Sequence, residues 1–587
     1  MVAENLRELM PEFASDRSFL SALVVCSGAS LVALRWLKQR NIHWKTEEAK
    51  KKREIGLQEM QRAVQRFKKE NPKVDPGTIL SMSMVDLADS LQRGSLSPEI
   101  VLYTYMGKAL ELHKEVNCIT DFIQECEFQL QELKQQKEKG PLYGIPFSIK
   151  NSLPCKGYDS SCGLLQFQDV LDQEDCVLIQ VLKKQGGIPF VKTNIPQGLF
   201  NYDCRNPVNG QTVNPLNHKK TPGGSSGGEG AIIRGGGSII GLGSDMGGSV
   251  RFPSSFCGLC ALNPTVCRLS VSGMSIPIDG QPAVPTAIGP MAKDVDSLAL
   301  FMRSVLCDDM FLLDPTVPPL PFKEEVYSSS EPLRIGYFDN MSCFPAIPSM
   351  RRAVNEAKKL LEEAGHTLVA FSPPELEGGA SEMFCKLAFA DGGLTFANKF
   401  KGNIIDPHQS ETVSTLKMPV LLKKMMAFFL KPWSPRISRS LKTLAMSRTV
   451  KTLWESQKQQ QDYKQEFIAE WKKLELDVLL CPMLGPAFNI GYPGRLFALV
   501  CYTVIFNILN FPAGVVPVGV VTEEDEKQLK NYGSGYNDKW DRLTKKAVEG
   551  GVGLPLSVQC VALPWQEELC LRFMKEVETL TAAKKKR

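Results

Sequence analysis

Gly223 to Ser254 read GGSSGGEGAIIRGGGSIIGLGSDMGGSVRFPS, and this stretch decides how the rest of the 587-residue chain is read. Two serines sit in its glycine-rich loops: Ser225 and, 24 positions later, Ser249. A serine that attacks a carbonyl must stand exposed on a turn, with backbone N–H groups aimed at the oxyanion that forms. Met246-Gly247-Gly248-Ser249 supplies such a turn, because glycine accepts dihedrals that point successive N–H groups into one concavity. Thr221 to Gly228, TPGGSSGG, is a second loop able to carry a hydroxyl to it. The attacking serine also needs a proton acceptor, and none of the five histidines lies near these loops. Lys150, at the end of the apolar run LYGIPFSIK, can serve if burial lowers its pKa toward neutrality.

Other glycine-rich chemistries fit less well. GxxxxGK[ST] does not occur, and Gly241-Leu242-Gly243 continues one residue out of register with a dinucleotide fingerprint. Gly223-Gly224-Ser225-Ser226-Gly227 matches GxSxG, but that elbow follows a strand and requires a histidine. Asn214 to Thr221 is polar and interrupted by proline, a poor strand, although His366 and His408 remain formally available. The residues favour a hydrolase site that works without histidine.

The block from Gly223 to Ser254 resembles the amidase signature, with Asp245, Ser249, Arg251 and Pro253 in register. The resemblance implies amide hydrolysis by a Ser-cisSer-Lys triad, with Ser249 as nucleophile, Ser225 as bridging serine on a cis peptide, and Lys150 as general base and acid. It implies an oxyanion hole from Met246, Gly247, Gly248 and Ser249, supported by Ser226, Asp245 and Arg251. It calls for neither cofactor nor metal. Asp245 and Arg251 are equally readable as an ordinary structural ion pair.

Composition bounds the setting. An apolar content of 43% suits a globular protein, and a net charge of +5 leaves no nucleic-acid footprint. Seventeen cysteines without a framework fit a reducing compartment, and the lone Cys257-Gly258-Leu259-Cys260 reads as buried cysteine. Ser18 to Leu34 runs 17 residues without a charge, at the short end of what spans a bilayer. Acidic residues precede it, and Arg35, Lys38, Arg40 and Lys45 follow, which predicts a single-pass anchor with the rest of the chain cytosolic, on an endomembrane such as the endoplasmic reticulum.

The expected organisation is a segment 1–17, an anchor 18–37, a basic linker and helical lead-in 38–95, a catalytic domain 96–580 and a basic tail 581–587. Within the lead-in, Lys45 to Lys69 reads as a solvated helix. Alternating short apolar strands and helices, as in Leu333–Tyr337, Met350–Ala364 and Thr367–Phe371, predict an α/β fold: a mixed central sheet covered by helices on both faces. In Leu416–Leu441, Leu421, Met425, Phe428 and Phe429 can share a helix face, with Lys423, Lys424 and Arg436 among the interleaved cations. That pattern predicts a membrane-binding cap over 416–441.

Asp314–Tyr327 and Ala562–Glu578 are similar to the membrane-anchored branch of the family that cleaves fatty-acid amides such as N-acylethanolamines and oleamide. That branch implies a fatty-acid amide substrate drawn from the lipid bilayer, an acyl channel in which Phe200, Tyr202 and Phe389 are candidates, and a homodimer. The alternative is the amidase subunit of a tRNA-dependent amidotransferase.

Overall fold

Pro146–Lys150 and Ile240–Asp245 are buried at every position, so side chains pointing to opposite faces of the sheet are both covered. These strands lie inside an eleven-stranded mixed sheet. In chain order its strands are β1 (Ile119–Phe122), β2 (Pro146–Lys150), β3 (Ile188–Thr193), β4 (Ile240–Asp245), β5 (Cys260–Asn263), β6 (Ala287–Ala292), β7 (Arg334–Tyr337), β8 (Thr367–Ala370), β9 (Val478–Pro482), β10 (Ala513–Val520) and β11 (Pro555–Val561). Their order across the sheet is β1-β3-β2-β4-β6-β5-β10-β11-β9-β7-β8. The β3-β2-β4 and β9-β7-β8 groups are parallel, and antiparallel pairs join them through the middle. This is the predicted mixed α/β architecture. The computed structural model describes residues 17–136, 138–276, 278–341, 344–376, 378–446, 448–533 and 535–586, with the backbone alone at 17–29, 31, 32, 35, 38 and 586.

The helix at the amino-terminal end departs from expectation in two respects. Helix α1 (Arg17–Glu70) runs unbroken past the boundary expected at residue 37, so no linker separates its two halves. Nor is its second half solvated: Leu57, Met60, Val64 and Phe67, spaced three and four apart, are buried against β1 and helix α2 (Pro98–Val116). Lys52 pairs with Asp169 at 2.7 Å, and Arg53 donates to Asn117 at 2.5 Å, fastening the helix further. Among the described residues no helix is long and apolar enough to cross a membrane. Most of the Ser18–Leu34 run falls on positions whose side chains lie outside the described set.

The glycine-rich block forms helix α3 (Gly227–Arg234), strand β4 and helix α4 (Arg251–Cys257). Farther along, α5 (Val420–Leu430) and α6 (Pro435–Leu444) make a packed hairpin. Lys150 ends β2 and Asp245 ends the parallel neighbour β4, so the candidate site lies at the carboxyl ends of adjacent parallel strands.

Candidate active site

Lys150 is fully buried, and its Nζ donates to Ser225 Oγ at 2.7 Å, to Ser244 Oγ at 2.9 Å and to the Ser244 carbonyl at 3.2 Å. Burial pushes its pKa down to about 7, with nearby Asp245 opposing the shift. The Gly224–Ser225 peptide is cis. No room exists there for a side chain on Gly224: a Cβ would stand 2.8 Å from the Asn201 carbonyl oxygen and 2.9 Å from that of Asp203. Ser226 N–H donates to the Ser249 carbonyl at 3.1 Å, tying the two serine loops together. Among the described residues no hydrogen bond joins the Ser225 and Ser249 hydroxyls, and neither His366 nor His408 bonds to either serine. His408 instead places Nδ1 3.1 Å from Asp203, and His366 accepts from the Leu333 N–H.

The turn ahead of Ser249 is built around a buried carboxylate. Asp245 accepts from Gly248 N–H at 2.6 Å, Val250 N–H at 3.1 Å and Asn507 Nδ2 at 3.0 Å. It also takes a two-pronged contact from Arg251 Nε and Nη2 at 3.1 and 3.0 Å. Burial alone would raise the Asp245 pKa, but Arg251 and these donors hold it below the ordinary carboxylate value. Arg251 spends its remaining N–H groups on the Thr503 carbonyl, Gln559 and Asn507, at 2.9, 3.1 and 2.6 Å.

One consequence alters the predicted donor set. Gly248 N–H already serves Asp245, whereas the N–H groups of Met246, Gly247 and Ser249 have no acceptor among the described residues. Gly248 has φ +129°, and a Cβ there would lie 2.4 Å from the Phe252 ring. Glycine is therefore required twice over, for conformation and for space. Thr503 Oγ1 donates to the Gly247 carbonyl at 2.5 Å and fixes that peptide.

Ser244, Thr503, Asn507 and Gln559 are the members that sequence reasoning missed. Only Gln559 carried a signal, as a lone amide within the apolar strand PLSVQCV.

A separate set of residues encloses a cavity of about 470 Å³. Phe200 and Phe389 line it and pack at 5.1 Å, centroid to centroid. Phe384, on the same Ala380–Ala388 helix as the lining residue Cys385, packs on Phe200 at 5.9 Å and comes within 4.0 Å of where a Cβ on Gly247 would stand. Tyr202 sits elsewhere: it packs between Phe252, tilted against it, and Phe488, edge-on to it, in the core and donates to the Leu496 carbonyl at 2.8 Å. None of Lys150, Ser225 and Ser249 is among the cavity's lining residues.

The α5–α6 hairpin forms one wall of this cavity through Met426, Leu430 and Ile437. Its outer face exposes Leu421, Met425, Phe428 and Phe429, and Trp433 beyond them is 75% exposed. Two of the cations read from sequence as interleaved with this apolar surface are instead turned inward. Lys423 is buried, donating to the Leu416 carbonyl at 3.0 Å. Arg436 is buried against Asp538 and Asp541 at 2.5 and 2.6 Å, beneath the Phe344 and Tyr536 rings.

The chain belongs to the Amidase family, whose pattern matches residues 100–571. It is an amidohydrolase of that family. It is 48% identical over 561 residues to fatty-acid amide hydrolase 1 of Sus scrofa, covering 96% of each chain. It is 54% identical over 455 residues to the vitamin D3 hydroxylase-associated protein of Gallus gallus, spanning 78% of this chain and 98% of that one. Among solved structures, a fatty acid amide hydrolase superposes with a TM-score of 0.76 at 25% identity, covering 93% of this chain and 96% of that chain.

Proposed function

We propose that this chain is a membrane-associated hydrolase of fatty-acid amides, N-acylethanolamines and primary fatty amides among them, working through Lys150, Ser225 and Ser249. Neutral Lys150 accepts a proton from Ser225 as Ser225 takes one from Ser249, and Ser249 Oγ attacks the amide carbonyl. Met246, Gly247 and Ser249 N–H groups receive the oxyanion. The proton returns through Ser225 to the leaving nitrogen, because an amide anion is too basic to depart. Water then releases the fatty acid from the acyl-enzyme. No hydrogen bond joins the two serine hydroxyls among the described residues, so the relay needs that contact to form in the substrate complex. Lysine is the base in its neutral form, so activity should rise with pH through about 7.

The observation that carries the substrate class is the hairpin. One face of α5–α6 walls an aromatic-lined cavity, and the other bares a contiguous apolar surface. That arrangement suits a substrate whose acyl chain comes from lipid. The uncharged Ser18–Leu34 run as an anchor and pairing with a second copy belong to the same reading.

The test is hydrolysis of oleamide and an N-acylethanolamine beside acetamide, with the protein in membranes. Burying several methylenes at about 0.8 kcal/mol each favours the long chains by on the order of 10³-fold in kcat/KM. If neither fatty amide yields free acid, the substrate class is wrong. A second expectation concerns the hairpin: the double substitution Phe428→Glu, Phe429→Glu should weaken partitioning into anionic vesicles about tenfold or more while sparing acetamide turnover. Unchanged partitioning in flotation assays would count against the cap.

A further inference from the structure

Glu229, in the first turn of α3, is completely buried and takes no part in the mechanism above. Ser148 Oγ donates to its Oε2 at 2.5 Å and Thr193 Oγ1 to its Oε1 at 2.6 Å. The place is reserved for it: a Cβ on Gly241 would lie 1.8 Å from Oε2. Ser148 stands two residues before Lys150 on β2, hence on the same face, and Thr193 is the β3 register partner of Lys150. The carboxylate therefore docks on the same face as the lysine, held by Ser148, whose backbone is roughly 7 Å away along β2, and by Thr193 on the neighbouring strand. No cation is within hydrogen-bonding distance of it among the described residues.

Among the described residues, the acidic groups acting most strongly on Lys150 are Asp245, Cys162, Cys204 and Glu229. The Asp245 charge is matched by Arg251. Burial pushes the Cys162 and Cys204 thiols up to about 12, so both are neutral near pH 7. That leaves Glu229 as the unmatched acid, and burial raises its own pKa to about 7. The groups facing it in turn are Lys150 and the Cys118 thiol, which burial keeps neutral.

We infer that Glu229 is a positioning residue of the hydrolytic site, its carboxylate governing how readily Lys150 gives up its proton. This rests on the reading of Lys150 as the base. An ionised Glu229 favours charged Lys150, and a neutral Glu229 favours the neutral amine. The two states, Lys⁺/Glu⁻ and neutral Lys/neutral Glu, hold the same number of protons and the same net charge. The reactive amine therefore forms without adding charge to the interior.

The test is the rate at which a fluorophosphonate labels Ser249 of the full-length protein, followed against pH, which does not depend on the amide substrate. Wild-type labelling should rise through about 7. Glu229→Gln removes the anion that stabilises the ammonium, so this rise should move to lower pH by about one to two units, with the upper plateau largely kept. Ser148→Ala, which weakens support for the ionised carboxylate, should move it the same way by less. A role in packing alone would lower the plateau and leave the midpoint in place, and an unmoved midpoint in both variants overturns the proposal. A wild-type protein that labels at no pH overturns the lysine-base reading, and this proposal with it.

Discussion

Ser249→Ala should lower fatty-amide turnover by about 10⁴-fold or more, since removing the attacking atom of a concerted set costs nearly what removing the whole set costs. Stability should hardly change. Ser249 is half-buried, and its hydroxyl anchors no hydrogen bond to Ser225, so alanine leaves neither a cavity nor a stranded partner. Its carbonyl still accepts from Ser226 N–H, keeping the two loops tied. The decisive comparison is fatty-acid release and thermal unfolding side by side. Normal turnover in a folded Ser249→Ala protein would sink the nucleophile assignment.

Arg251→Met should cost about 3–5 kcal/mol of stability, because it strands a buried charge. The guanidinium makes five hydrogen bonds, to Asp245, Thr503, Asn507 and Gln559, and methionine replaces none of them. The pH dependence identifies the cause. In the native protein the Asp245 pKa is depressed, so its contribution is fully present above the ordinary value of 3.8 and is lost only as pH falls through the lower folded value. In the variant the carboxyl keeps its burial and loses its cation, so its folded pKa rises above 3.8. Ionisation then opposes folding at neutral pH, and acidification relieves it. The stability gap to wild type, measured by denaturant titration, should be widest near neutrality and shrink toward about pH 4. A gap that does not change with pH would mean that lost packing dominates over the stranded carboxylate.

The serine loops and Lys150 were legible because short-range chemistry dictates them: glycines where a turn must pass close to backbone, and a lysine ending an apolar strand. The network that fixes the turn was not. Arg251 reaches Thr503 and Gln559 across 252 and 308 residues, and nothing local to any of them announces the contact. The second half of α1 reads as solvated because glutamines, Glu59, Arg62 and Arg66 stand between Leu57, Met60, Val64 and Phe67 and mask a stripe that is regular on the helix but sparse in the sequence. Lys423 and Arg436 failed differently. Their charges suggested solvent, yet a carbonyl oxygen in one case and two aspartates in the other draw them inward. The mixed sheet, by contrast, was readable from runs of apolar residues closed by glycine and proline.

The α5–α6 hairpin is a partition only one helix thick, about 10 Å across. An apolar chain of eighteen carbons is longer than that partition, so its leading end can enter the cavity before its tail has left whatever lies outside. If the proposed fatty-amide substrate enters this way, it is never dissolved in water. Each methylene spared that exposure would be spared about 0.8 kcal/mol, so on the proposed reading the aqueous solubility of the amide drops out of the encounter. Under the proposed function, the quantity that sets supply would then be its density per unit area beside Phe428 and Phe429, a two-dimensional concentration.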